Sequence, residues 1–89
     1  MKYRLIIESK ALKSLKNLDK PIAKRISQWI KENLSDCDNP RAFGEPLTGE
    51  FKGFWKYRIG DYRVLANIDD AIRIVAVFRI DHRSQVYKK

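Results

Sequence analysis

Apolar residues recur at two different spacings along this chain, and the spacing changes near residue 50. Before that point they lie mostly three or four positions apart, at Leu12, Leu15, Leu18, Ile22, Ile26, Trp29, Ile30 and Leu34. This period is typical of amphipathic helices that pack one side against a core. Asp19 is suited to the N-cap of a second helix and Pro21 to its first turn, so the pattern restarts there. Ser9 is suited to the N-cap of an earlier helix. We therefore predict a short helix after Ser9 and a longer, antiparallel helix after Asp19.

Alternating apolar and polar residues, or short apolar runs, predict strands in the rest of the chain. The four segments of this kind are Tyr3 to Ile7, residues 53–59, residues 62–68 and Ile72 to Ile80. Gly60-Asp61 separates the second segment from the third and suits the two-residue turn of a β-hairpin. Residues 35–50 lack any period and contain Asp, Asn, Pro and Gly, which indicates a surface connection.

The order of these elements predicts an α+β fold. We expect an N-terminal strand, a two-helix antiparallel hairpin and a three-stranded antiparallel meander that completes one sheet. The 89 residues, 44% of them hydrophobic, are enough for one domain with its own core, over residues 1–89. Cys37 is the only cysteine, so the sequence offers no disulfide framework and no thiolate cluster for zinc. We expect neither a metal nor another cofactor.

The two-residue turn determines which side chains of the hairpin lie opposite each other. The predicted pairs are Ile59 with Tyr62, Arg58 with Arg63, Tyr57 with Val64, Lys56 with Leu65, and Trp55 with Ala66. Lys56, Arg58 and Arg63 then share one face around Leu65, while the aromatic residues share the packing face. Like charges directly opposite each other destabilise a sheet. Their presence here indicates that an anion, such as a nucleic-acid phosphate, binds between them.

The turn after the hairpin allows two registers. A two-residue loop places Arg63 on the face of Ile72, Ile74 and Ala76. A three-residue loop, Asp69 to Ala71, groups Arg63 with Arg73, Val75, Val77 and Arg79. Face chemistry favours the three-residue loop. It extends the cationic patch to Arg79 and places four apolar residues on the core side: Ile72, Ile74, Ala76 and Phe78.

A net charge of +8 and a pI near 9.8 favour a polyanionic partner. The excess is densest in residues 51–89, with nine basic and four acidic residues. The run Leu5-Ile6-Ile7 is too short for the core of a signal peptide, and no later run approaches the length of a membrane span. We therefore expect a cytoplasmic protein that does not bind membranes.

Three motifs carry a resemblance to a known family: Leu47-Thr48-Gly49, the hairpin from Trp55 to Leu65, and His82-Arg83-Ser84-Gln85-Val86-Tyr87. With the helical hairpin before them, the chain resembles the RelE/ParE superfamily of toxins of type II toxin-antitoxin systems, most closely the RelE branch. The resemblance implies a ribosome-dependent, metal-independent endoribonuclease that cleaves mRNA in the decoding site and inhibits translation. It also implies three kinds of partner: a cognate antitoxin protein, the ribosome with its mRNA, and operator DNA bound through the antitoxin.

Cleavage by the RNA's own 2'-hydroxyl needs a proton acceptor, cations that stabilise the phosphorane-like charge and a proton donor for the leaving 5'-oxygen. Six residues are the catalytic candidates, and we expect them to converge on one sheet face: Lys56, Arg58, Arg63, His82, Arg83 and Tyr87. Four further cations are candidates for RNA binding: Lys52, Arg73, Arg79 and Lys88.

The roles of base and acid stay open among His82, Lys56 and Tyr87. A histidine ordinarily titrates at ~6.5, near neutrality, whereas a lysine or tyrosine needs surrounding positive charge to lose its proton more readily. Tyr87 is alternatively placed to stack on an unpaired base.

Two other functions fit the same sequence. A ParE-like inhibitor of DNA gyrase shares the fold and acts by binding, without an acid or a base. A basic nucleic-acid-binding module is expected from the charge alone.

Overall fold

The computed structural model describes residues 2–82, which form two helices and a five-stranded sheet. The strands are β1 (Arg4–Ile7), β2 (Glu45–Pro46), β3 (Trp55–Ile59), β4 (Tyr62–Asp69) and β5 (Ile74–His82). The helices are α1 (Ser9–Lys16) and α2 (Lys20–Leu34), and a 3₁₀ turn spans Gly49–Phe51. The sheet order is β1-β5-β4-β3-β2, with β1 parallel to β5 and the other neighbours antiparallel. The predicted α+β fold is confirmed.

Both helices pack on one face of the sheet, which we call the helix face. Their buried contributions to the core are Ala11, Leu15, Ile26, Ile30 and Leu34. The sheet contributes Tyr57, Ile59, Val64, Ala66, Ile68, Val75, Val77 and Ile80. We call the opposite face, which carries Lys56, Arg58, Arg63 and Leu65, the open face. Among the described residues, none of the helices is longer than the 15 residues of α2, and none has the length and apolarity needed to cross a membrane.

The helix ends differ slightly from the prediction. Ser9 is the first helical residue of α1, and Glu8, with an extended backbone, holds the N-cap position. Asp19 occupies the N-cap position of α2 as expected, but its side chain makes no capping hydrogen bond. Pro21 lies in the first turn of α2, where its missing amide hydrogen costs no helical bond.

The hairpin between β3 and β4 has the predicted register at every pair, from Ile59 with Tyr62 to Trp55 with Ala66. Gly60 has a φ of 59°, a left-handed conformation that glycine adopts without steric cost. The prediction that Arg58 lies directly opposite Arg63 is confirmed.

The predicted three-residue loop between the last two strands is wrong. Asp69 pairs with Ile74, so the turn comprises the four residues between them. The Asp69 carboxylate accepts hydrogen bonds from the backbone N–H groups of Ala71 and Ile72, at 3.0 and 3.3 Å, and so stabilises this longer turn. Ile72 is consequently 63% exposed and not in the core.

The longer turn reverses the faces of the first half of β5. Val75 and Val77 are buried on the helix face, opposite Ile68 and Ala66. Ile74, Ala76 and Phe78, expected in the core, lie outside the buried cluster. A register shift between Leu65 and Ala66 then adds one residue to β5 and restores the expected face for Arg79.

Candidate functional site

Four cations surround the buried Leu65 on the open face, and we call this set the cationic face: Lys56, Arg58, Arg63 and Arg79. Leu65 pairs with Lys56 on one side and with Arg79 on the other. Arg58 pairs with Arg63 one step towards the hairpin turn. Three adjacent strands thus bring together four of the predicted site residues, at positions set by backbone pairing.

These cations differ in burial. Lys56 and Arg63 are only 8% and 7% exposed, whereas the side chains of Arg58 and Arg79 are 60% and 40% exposed. A buried cation needs compensating hydrogen bonds or opposite charges. Arg63 donates from Nη1 to the Tyr62 carbonyl at 3.4 Å. The site therefore combines two fixed cations with two that reach solvent.

Two carboxylates accompany the cations. The Glu45 Oε1 atom lies 3.5 Å from Lys56 Nζ and 3.8 Å from Arg58 Nε. Asp81 forms an ion pair with Arg79 and lies opposite Arg63 in the register. Glu45 is the more accessible, with 58% of its side chain exposed against 21% for Asp81.

Sequence reasoning missed Glu45, because it lies within residues 35–50, which lack any periodic pattern. In the structure Glu45 belongs to β2 and pairs with Lys56. A strand of two residues is too short to show alternation, so this placement required the folded chain.

The segment that leads to Glu45 is held at several points. The Tyr57 hydroxyl donates a hydrogen bond of 2.6 Å to the buried Pro40 carbonyl, and burial raises the pKa of Tyr57 well above its ordinary range. Gly44 lies so close to the Tyr57 ring that an added Cβ would lie 2.8 Å from Cε1. Arg41 donates hydrogen bonds from Nη1 and Nη2 to the two carboxylate oxygens of Asp70, at 3.0 and 2.9 Å. These contacts fix the position from which Glu45 reaches the cations.

His82 does not lie on the cationic face, so that expectation is wrong. It pairs with Tyr62 on the helix face, where the two rings meet edge to face at 5.3 Å. It also lines a cavity with Ser14 and Asn17, at the end of α1. The reason is the pleat of β5: Asp81 takes the position opposite Arg63, so the next side chain points to the other face.

The remaining predicted residues are dispersed or lie outside the described range. Arg73 lies in the turn before β5, and its guanidinium lies over the Tyr3 ring, 5.6 Å from the centroid. The expected grouping of Arg73 with Arg63 is therefore wrong. Lys52 is exposed just after the 3₁₀ turn. Arg83, Tyr87 and Lys88 lie outside the described residues 2–82.

The sequence and the fold both have known relatives. A family model described as the ParE toxin of the type II toxin-antitoxin system parDE matches residues 5–87. Toxin RelG of Mycobacterium tuberculosis is 32% identical over 89 residues, which covers 100% of both chains. Toxin RelE of the same organism is 33% identical over 86 residues, covering 97% of this chain and 87% of that one.

Solved structures agree with these sequence relatives. A chain of the Mycobacterium tuberculosis toxin-antitoxin complex RelBE2 superposes with a TM-score of 0.83 at 31% identity, covering 93% of this chain and 100% of that chain. Escherichia coli RelE, as a mutant in the free state, has the same fold, with a TM-score of 0.73 at 21% identity, covering 98% of this chain and 88% of that chain.

Proposed function

This chain belongs to the family of ParE toxins of type II toxin-antitoxin systems, and on that premise we propose that it is a ribosome-dependent endoribonuclease of the RelE type. It cleaves mRNA in the decoding site and so inhibits translation. The relatives named RelG and RelE, each about a third identical to this chain, favour this branch of the superfamily.

The observation that carries the proposal is the pairing of Arg58 with Arg63 beside the buried Lys56. Opposed like charges destabilise a sheet. An RNA phosphate between Arg58 and Arg63 relieves this repulsion, because each guanidinium can donate two parallel hydrogen bonds to its oxygens. The direct opposition of the two arginines thus favours an anionic ligand at this position.

This placement supports the following reaction in our proposal. The 2'-hydroxyl of the RNA loses its proton and attacks the adjacent phosphorus, the bond to the 5'-oxygen breaks, and that oxygen takes up a proton. The products are a 2',3'-cyclic phosphate and a 5'-hydroxyl end. Arg58 and Arg63 stabilise the charge that develops on the phosphate oxygens, which is commonly the largest single contribution to catalysis. Lys56 completes this electrostatic environment.

The proton acceptor is Glu45 in this proposal. It is an exposed carboxylate next to the cations that bind the phosphate, whereas His82 lies on the helix face and the Asp81 side chain is only 21% exposed. Lys56 or Tyr87 then serves as the proton donor. The ribosome positions the mRNA so that the attacking oxygen, the phosphorus and the leaving oxygen align.

The first test uses Arg63→Ala in an assay with defined mRNA, with and without programmed ribosomes, and maps the 5' ends. Wild-type protein cleaves when ribosomes are present. Loss of a group that stabilises the transition-state charge lowers the rate about a hundredfold or more.

The matched control is Lys13→Ala, which removes one exposed positive charge from α1, away from the cationic face. Thermal melting of both variants shows whether the fold is intact. A folded Arg63→Ala variant with full cleavage contradicts the proposed role of the cationic face.

The second candidate function is inhibition of DNA gyrase, the alternative that we considered for a ParE-like toxin, and the matching family model is described as a ParE toxin. A supercoiling assay with purified gyrase separates the two. Intact mRNA together with inhibited supercoiling would select the gyrase inhibitor, and the cationic face would then bind DNA or the enzyme without chemistry.

A cognate antitoxin is the expected protein partner, as in the RelBE2 complex of Mycobacterium tuberculosis. We expect it to present acidic and apolar residues to the cationic face or to the sheet. The complex would bind its operator DNA through the antitoxin. A toxin that acts on ribosomes works in the cytoplasm.

A further inference from the structure

A groove of about 570 Å³ lies between α2 and the turn that joins β3 to β4. We call it the α2 groove, and the residues that matter here are Lys24, Arg25, Gln28, Trp29, Arg58 and Gly60. Three of these are cations from two different elements. The acidic lining residue, Glu32, accepts a hydrogen bond of 3.0 Å from the Gln28 side chain.

Arg58 connects the α2 groove with the cationic face. The pairing of β2 with β3 ends at Lys56. Arg58 lies two residues further along β3, where β2 no longer covers the edge of the sheet. Arg58 is one of the residues that line the groove, while its side chain lies on the open face beside Glu45, opposite Arg63. A ligand held between Arg58 and Arg63 can therefore continue around this edge of the sheet into the groove.

Two side chains of the groove contact neighbouring elements. The Arg25 guanidinium packs on the turn: a Cβ on Gly60 would lie 3.3 Å from Nη1 and 3.5 Å from Cζ. Trp29 is half-buried, with its ring 5.7 Å from that of Tyr57. The helix can approach the turn this closely because Gly60 has no side chain. The space between them is lined by the Trp29 ring, the Gln28 amide and two further cations, Lys24 and Arg58.

We propose that the α2 groove is a second RNA site, which binds a single-stranded segment outside the cleaved position. Lys24 and Arg25 bind its phosphates, and Gln28 and Trp29 contact a base. Cations interleaved with an aromatic ring are the usual means of holding single-stranded RNA. Continuity with the cationic face through Arg58 favours RNA over an acidic peptide. The inference rests on the proposed function for the identity of the nucleic acid.

The test measures RNA binding, separately from cleavage, with the double variant Lys24→Gln/Arg25→Gln. The probes are 2'-O-methyl oligonucleotides, which lack the attacking hydroxyl: a trinucleotide and an oligomer of about 12 nucleotides, within the usual span of such sites. The double variant is expected to bind the oligomer about tenfold more weakly, with the salt slope reduced by about 0.7 for each lost phosphate contact. Binding of the trinucleotide is unchanged, because it occupies only the cationic face.

The matched control is Lys13→Gln/Lys16→Gln, which removes the same charge from the exposed surface of α1. It is expected to bind the oligomer within about twofold of wild type, because long-range charge alone has a small effect at physiological salt. Equal weakening in both double variants would overturn the proposal, since net charge would then account for the result. Thermal melting confirms that each variant folds.

Vacant ribosomes provide a second arm, which separates the two sources of RNA. The groove variant is Lys24→Gln/Arg25→Gln. If it binds the oligomer as wild type does but binds vacant ribosomes more weakly, the RNA segment in the groove belongs to ribosomal RNA and the proposed site stands. If the groove variant binds both the oligomer and the ribosomes as wild type does, the proposed second RNA site is wrong. It is also wrong if the variant weakens only the binding of the antitoxin. If Arg63→Ala retains cleavage while the groove variant still loses oligomer binding, the assignment of the cleavage site fails and the second RNA site remains.

Discussion

Single residues on the cationic face divide into two groups by their burial. Lys56 and Arg63 are enclosed by their neighbours, so their charges keep nearly constant positions. Arg58 and Arg79 reach into solvent on long side chains that can adjust to a ligand. Fixed cations favour a preorganised phosphate site, in which little reorganisation accompanies the reaction. Exposed ones are suited to reaching a flexible strand.

Glu45 is the residue whose role is most open to a direct test. If it accepts the proton of the 2'-hydroxyl, Glu45→Gln lowers kcat by about 100-fold or more, within the usual contribution of a general base. KM stays the same or falls, because a negative charge next to the phosphate has been removed. The measurement is a single-turnover and steady-state comparison on programmed ribosomes.

Glu50→Gln is the control, since Glu50 is an exposed carboxylate in the nearby 3₁₀ turn. Its kinetics should match those of wild type. A rise in KM for Glu45→Gln, with kcat preserved, would mean that Glu45 positions Lys56 and Arg58 instead of accepting a proton.

At the scale of elements, the turn before β5 has the largest effect on which side chains share a face. One additional residue in this turn moves Val75 and Val77 into the core, and the register shift beside Ala66 returns Arg79 to the open face. Face chemistry alone favoured the opposite assignment, because both alternating sets of positions in residues 74–78 are apolar and either set could be buried.

Core truncations provide a check of this register. Val77→Ala removes a fully buried side chain and should lower the free energy of unfolding by about 2 kcal/mol, from lost transfer energy and the cavity left behind. Ile72→Ala, in the exposed turn, should change it by less than about 0.5 kcal/mol. Urea unfolding of the two variants measures both values. If Ile72→Ala lowered the free energy of unfolding more than Val77→Ala, the result would support the three-residue loop instead.

At the scale of the whole molecule, one ion pair connects three distant parts of the chain. Asp70, in the turn before β5, accepts a hydrogen bond of 2.6 Å from the Tyr3 hydroxyl and binds Arg41 of the segment before β2. The Arg41 guanidinium, with the Tyr3 hydroxyl, lowers the pKa of Asp70 to about 2. The N-terminal strand, the β4–β5 turn and the segment that carries Glu45 are thereby joined.

This contact predicts a dependence of stability on pH. Because the folded pKa lies below the unfolded value of about 3.9, the charged carboxylate stabilises the fold above that pH, and the effect is lost as pH falls towards 2. Asp70→Asn should therefore melt at a lower temperature than wild type at pH 7, with the difference shrinking below pH 4. Melting curves across this range, with the exposed Asp38→Asn as control, measure it. A constant difference at all pH values would contradict this linkage.

Local sequence patterns were enough to predict the α+β class, the helices and the hairpin with its opposed arginines. These features depend on local periodicity and on a two-residue turn, whose geometry is set by Gly60-Asp61. Three other features depend on how the chain packs in three dimensions: the faces of β5, the position of His82 away from the cations and the position of Glu45 beside Lys56. A strand's face changes with every residue added to a turn, and a two-residue strand carries no periodic signal. Contacts between residues distant in sequence therefore completed the site.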